Sequence, residues 1–240
     1  MSLYFIFISA LCTSLGALPI FLIKNVSHKG KDTLLAFTAG VMVAASTYGL
    51  IPSALKLSNV GILIVGILIG TLVLTMLESL IPHVDLDHTP NSSPHASVIL
   101  FLVAMSLHNI PEGLSVGISN VSNSEELGPV VSFAIGIQNI PDGFLVGLFL
   151  ITLHVSRLKA FLLASMTGFI ELIASLVGVA FGEFFEPIIP YGLAFAAGSM
   201  LFVVYKELIP ESHGDGNERV STISFILGFL IMILLTEWYR

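Results

Sequence analysis

Cysteine is almost missing from this chain: Cys12 is the single one in 240 residues, which excludes an internal disulfide framework and a thiolate-rich metal site. Charge is scarce too, at 10% against the roughly 25% of a soluble domain. No basic patch offers itself to nucleic acid, and no connection between apolar stretches is long enough for a soluble domain. The net charge of −7 is not an acidic soluble surface, because several of the carboxylates stand inside apolar runs. What remains is hydrocarbon: 55% of residues are hydrophobic and the mean hydropathy is +0.97. The composition is that of a chain made mostly of transmembrane helix.

Eight runs are each long enough to cross a bilayer, at about 2–24, 33–55, 58–82, 96–119, 129–153, 159–183, 188–209 and 219–238. The expected fold is therefore all-α and polytopic, one membrane domain over 1–240. The first run lacks a basic leading segment and a small-residue cleavage site, so it is read as a retained helix. Lys24, Lys29, Lys31, Arg157, Lys159, Lys206 and Arg219 flank the connections after runs 1, 5 and 7, while only Lys56 and Arg240 fall on the other side. The positive-inside bias puts those connections, and residues 83–95, in the cytoplasm. Both termini are then non-cytoplasmic, in a cell (plasma or inner) membrane.

Two segments break the apolar pattern: SLHNIPEGLSVG (106–117) and GIQNIPDGFLVG (136–147). A charged side chain at mid-bilayer costs roughly 2.5–3.5 kcal/mol on insertion scales, so it is seldom there without a task. Positions i and i+4 share a helix face, which pairs His108 with Glu112 and Gln138 with Asp142. Asn109 and Asn139 sit about 100° further round. Pro111 and Pro141 remove backbone hydrogen bonds and should kink their helices, while Gly113 and Gly143 permit close helix approach. Runs 4 and 5 are antiparallel neighbours, so their midpoints face each other. Run 6 adds Glu171 near the same depth. Three carboxylates without Lys or Arg at their level would be costly there; either they hold protons or cations neutralise them. Polar side chains can also simply join helices, but a duplicated pattern of ionisable groups points to a metal site.

A second repeat is present. LAFTAGVMVAASTYGLIP (35–52) and LAFAAGSMLFVVYKELIP (193–210) align without gaps and agree at Leu35/Leu193, Phe37/Phe195, Gly40/Gly198, Met42/Met200 and Pro52/Pro210, among others. They lie in runs 2 and 7, which cross in opposite senses. Inverted repeats of this kind place transporter substrates near the midplane. Runs 1–3 and 6–8 would be the halves, with runs 4 and 5 between them.

HNIPEG (108–113) and QNIPDG (138–143) resemble the signature helices of the ZIP (Zrt/Irt-like) divalent-metal transporters, and the resemblance extends over essentially the whole chain. It implies a 3+2+3 helix plan, a binuclear mid-membrane site, and passage of divalent metal toward the cytosol. His108, Glu112, Gln138 and Asp142 would form one metal site. Asn109, Glu112, Asn139, Asp142 and Glu171 would form the second, with Glu112 and Asp142 bridging. Glu207 matches a position used as metal moves on toward the cytosol. Many members carry His where Gln138 stands, Glu where Asp142 stands and, in some, Asp where Asn139 stands; Gln138 is similar to the bacterial-type subgroup that includes vertebrate Golgi-associated members.

One imidazole among oxygen donors suits zinc (Zn2+), Cd2+, Fe2+ or Mn2+ and argues against Cu(I). Zinc is the first choice on the resemblance. No catalytic cofactor is implied, and the partners are the ion, the bilayer and, for Gly/Ala-rich helices, a second copy in a homodimer, although such helices equally pack within one chain. Lys206, beside Glu207, would repel a cation unless it snorkels to the membrane face. Glu78, His83, Asp85, Asp87, His88, His95, Glu211 and His213 crowd the cytoplasmic mouth, either to receive metal or as an ordinary solvated loop. Glu125, Glu126, Glu183 and Glu186 read as surface charge. Two other classes compete. An intramembrane metal hydrolase would need an open zinc position and a base, yet HExxH is absent. A proton-coupled carrier of an organic substrate would use the carboxylates as a relay.

Overall fold

A computed structural model gives the structure of residues 3–23, 27–80, 94–213 and 216–239. Among these there is no strand. Eight helical spans are long and apolar enough to cross a membrane: Leu3–Phe21, His28–Leu57, Val60–Ser79, Val98–Asn120, Leu127–Thr152, Arg157–Phe184, Glu186–Ser212 and Glu218–Tyr239, called spans 1 to 8. They agree with the expected runs to within a few residues, except that span 2 begins at His28, capped by the Ser27 hydroxyl accepting from Gly30 N–H at 3.1 Å. With an even number of spans, residues 3 and 239 lie on one face, the near face; the opposite one is the far face. Side chains such as Leu68, Leu72, Met76, Leu230 and Leu234 point outward, as a lipid-facing surface requires.

The spans pack as pairs: 1 with 5, 4 with 6, 2 with 8, and 3 with 7. The spacing that relates Leu35 to Leu193 exchanges span 1 with 6, 2 with 7 and 3 with 8, the spacing of the HNIPEG and QNIPDG segments exchanges 4 with 5, and together they carry each pair onto another. Close contacts obey the same rule. Gly40 abuts the carbonyl of Phe225 and Gly228 that of Phe37; their counterparts are Gly198 against Ile67 and Gly70 against Phe195. The inverted repeat is thus visible in the backbone packing.

Two features of the repeat escaped the periodicity. Ala45–Leu50 and Val204–Leu208 are wide π turns inside spans 2 and 7. Each lies just before a proline, Pro52 or Pro210. A proline cannot donate to the carbonyl four residues back, and the ladder shifts: Ile51 N–H donates to Ser46 O and Ile209 N–H to Val204 O. Pro111 and Pro141, by contrast, lie within unbroken helices.

Polar ties close the far face. Asn217 Nδ2 donates to the buried Asp32 Oδ2 at 2.8 Å, joining spans 2 and 8. Arg157 donates to Phe21 O at 2.8 Å and Ile23 O at 2.7 Å, meeting the carbonyls that end span 1.

Candidate metal centre

Spans 1, 4, 5 and 6 form one group around the polar core. Gly113 in span 4 lies so close to span 6 that a Cβ there would strike the Glu171 carbonyl, and Gly143 in span 5 lies equally close to the Thr13 carbonyl of span 1. These two contacts are related by the same pseudo-symmetry. They bring the HNIPEG and QNIPDG segments and Glu171 to one place.

His108, Asn109, Glu112, Gln138, Asn139, Asp142 and Glu171 are all buried; Glu112 is 1% exposed, Gln138 and Glu171 0%. Among the described residues no Lys or Arg is buried. Gln138 Nε2 donates to Glu112 Oε1 in a short contact. Asn139 Nδ2 donates to Glu171 Oε2 at 2.7 Å and to Ser9 O at 2.9 Å. Ser9 Oγ donates to Glu171 Oε1 at 2.9 Å. Glu112 lies in the field of Asp142 and Glu171, and Asp142 in that of His108 and Glu171.

The amides therefore stand between the acids. Among the described residues no three His, Cys, Asp or Glu side chains converge as a metal cage would require. Two buried oxygens of these seven residues are nevertheless without a hydrogen-bond donor, Glu112 Oε2 and Gln138 Oε1. A buried acceptor left unpaired costs about 1–3 kcal/mol. An anionic oxygen and an amide oxygen, both unsatisfied and carried by residues that bond each other, suit a cation.

Glu207, on the wide turn of span 7, reaches across to span 4, where its Oε2 lies 3.1 Å from His108 Nε2. The structure thus links His108, Glu112, Gln138, Asn139, Asp142 and Glu171, buries Asn109 on the same helix as His108, and brings Glu207 to His108. Lys206 Nζ lies 3.6 Å from Glu78 Oε1, with 46% of its side chain exposed.

His83, Asp85, Asp87 and His88 lie outside the described residues, as does the side chain of His95. His213 Nδ1 contacts Ser212 Oγ and Ile209 O. Glu126 pairs with Lys56 at 3.8 Å, both exposed, and Glu186 accepts from Asn123. Ser9 was not singled out by sequence. A lone serine in an apolar helix usually bonds its own backbone, as Ser46 does to Met42 O at 2.9 Å.

The sequence model of the ZIP zinc transporter family matches residues 85–236. A zinc transporter GufA of Myxococcus xanthus is 35% identical over 238 residues, spanning 93% of this chain and 92% of the relative. A zinc transporter ZIPB of Bordetella bronchiseptica is 33% identical over 93% of this chain and 76% of its own length. The human zinc transporter ZIP11 is 37% identical over 152 residues, 61% of this chain and 44% of the relative. This is a family of multi-pass membrane transporters, not of enzymes, which removes the hydrolase reading. With its eight apolar spans and its twinned HNIPEG and QNIPDG helices, the chain belongs to the ZIP zinc transporter family.

Proposed function

We propose that this chain carries divalent metal cations, zinc first, across the membrane toward the cytosol through a site that holds two ions. His108, Glu112, Gln138 and Asp142 bind one, and Asn109, Glu112, Asn139, Asp142 and Glu171 the other, with Glu112 and Asp142 shared. The observation that carries this reading is the burial of three carboxylates with no buried Lys or Arg beside them, among the described residues. Each charge removed from water costs several kcal/mol unless a counter-charge meets it, and a divalent cation meets two. The unpaired Glu112 Oε2 and Gln138 Oε1 support it, as do the zinc transporter names of the relatives. The imidazole nitrogen favours zinc-like ions; Cd2+, Fe2+ and Mn2+ compete. For the metal to take His108, the ring must leave Glu207, the carboxylate placed next on the way out.

Purified protein reconstituted in liposomes is expected to take up zinc. Peptide cleavage and proton flux in the absence of metal serve as controls. A protein that moves protons but no divalent metal overturns the reading in favour of an organic-substrate carrier.

Direction rests on orientation. The far face holds the excess of Lys and Arg and is assigned to the cytoplasm. In a Cys12→Ser background, a Ser93→Cys protein is expected to resist an impermeant thiol reagent in intact cells and to react after permeabilisation. Strong labelling of intact cells reverses the assignment.

A further inference from the structure

Spans 3 and 7 run in the same direction and touch through Gly66, Gly70 and Gly198. Gly70 lies against Phe195 and Ser199, and Gly198 against Ile67. Two turns further toward the far face, this register sets Glu78 opposite Lys206, at 3.6 Å. The next residue, Glu207, turns the other way and meets His108 at 3.1 Å. Two acids, an imidazole and an ammonium therefore occupy one end of the metal path.

Packing does not demand the ion pair. Under the spacing that relates Leu35 to Leu193, Lys206 corresponds to Tyr48 and Glu78 to Thr236, while Glu207 corresponds to Gly49. Under the spacing that relates the two signature helices, His108 corresponds to Gln138. The near-face half of the repeat makes the same helix contacts with no charge at any of these positions. Among these matched positions an ammonium stands only beside the acids. Stability is a poor reason for it: Lys206 is 46% exposed and Glu78 19%, and an ion pair is weak evidence for stability whether exposed or buried.

We propose that Lys206 is a positioning residue for metal transit: its ammonium occupies Glu78, so that Glu78, Glu207 and His108 cannot together trap the departing ion. The inference rests on the metal-transport reading above. Without Lys206, two carboxylates and an imidazole are an ordinary ligand set for a zinc-like ion. Among the described residues no three such ligands converge here. Transport needs a final station that binds weakly enough to release.

The test compares the parent with Lys206→Ala, Lys206→Arg and the double variant Glu78→Gln/Lys206→Ala. Equilibrium dialysis against zinc gives ions bound per chain, and liposome uptake gives kcat and KM. Lys206→Ala is expected to bind one more zinc than the parent and to lose turnover about tenfold, with KM unchanged or lower, as for a station tighter by one decade. Lys206→Arg should behave as the parent. The double variant, which keeps no trap, should recover the parent's stoichiometry and turnover. Lys206→Gln replaces Lys206→Ala if the latter is not monodisperse. Parental stoichiometry in Lys206→Ala, or a loss of turnover that the double variant shares, overturns the inference while leaving zinc transport intact. A parent that neither binds nor carries zinc overturns the transport reading and this inference with it.

Discussion

Glu112→Ala is expected to abolish zinc uptake while leaving a folded protein. Glu112 is one of the two acids common to both proposed ion sites, 1% exposed, with one oxygen on Gln138 and the other unpaired. Losing a charged ligand from a buried site costs on the order of 3–5 kcal/mol. At about 1.4 kcal/mol per decade, that is more than a hundredfold in ion affinity. Stability should change far less. Truncation leaves the Gln138 amide without its acceptor, at about 1–3 kcal/mol. Against this, the metal-free protein loses one of three acids in a shared field. Glu112→Gln separates charge from shape: it keeps an acceptor for Gln138 and the side-chain volume but removes the charge. Both variants should purify as monodisperse protein and fail in liposome uptake. A parental uptake rate in either removes Glu112 from the ion path.

Much of this architecture was legible in the sequence because the bilayer allows few solutions. Long apolar runs announce spans, and a charge inside one announces a task. His108, Asn109, Glu112, Gln138, Asn139, Asp142 and Glu171 therefore stood out in the sequence, and the inverted repeat could be read by aligning 35–52 with 193–210. Contacts between spans distant in sequence were not. Ser9 looks like any helical serine, such as Ser46 or Ser106, whose hydroxyls bond their own helix. Only the packing of span 1 against spans 5 and 6 aims it at Glu171. The wide turns at Ala45–Leu50 and Val204–Leu208 depend on how the chain absorbs a lost hydrogen bond, whereas Pro111 and Pro141 lie in helices with no such turn. Lys206 illustrates the same limit. Its repulsion of a nearby cation was foreseeable from Glu207, but its partner Glu78 follows from the register of spans 3 and 7.

Gly113→Ala is expected to damage the protein although alanine is the better helix former. In an unobstructed helix the exchange would gain roughly 0.5–1 kcal/mol. Here the new Cβ would strike the Glu171 carbonyl and come within 2.8 Å of Ala174 Cβ. The first obstacle is backbone, so relief requires span 6 to move away from span 4. Overpacking of this kind costs about 1–3 kcal/mol. The displaced residue is Glu171 itself, whose carboxylate is held by Asn139 at 2.7 Å and Ser9 at 2.9 Å. A shift of a few tenths of an ångström loosens both bonds and separates Glu171 from Glu112 and Asp142. Thermal unfolding in detergent should therefore show Gly113→Ala below the parent, and uptake should fall by about tenfold or more, given that 1.4 kcal/mol is a decade. Gly143→Ala, facing the Thr13 carbonyl, should do the same through spans 1 and 5. Gly49→Ala supplies the contrast, since its Cβ would meet only Ala134 Cβ at 3.9 Å, an ordinary contact; it should be neutral. If Gly113→Ala is as stable and as active as Gly49→Ala, close approach of spans 4 and 6 is not what assembles the metal centre.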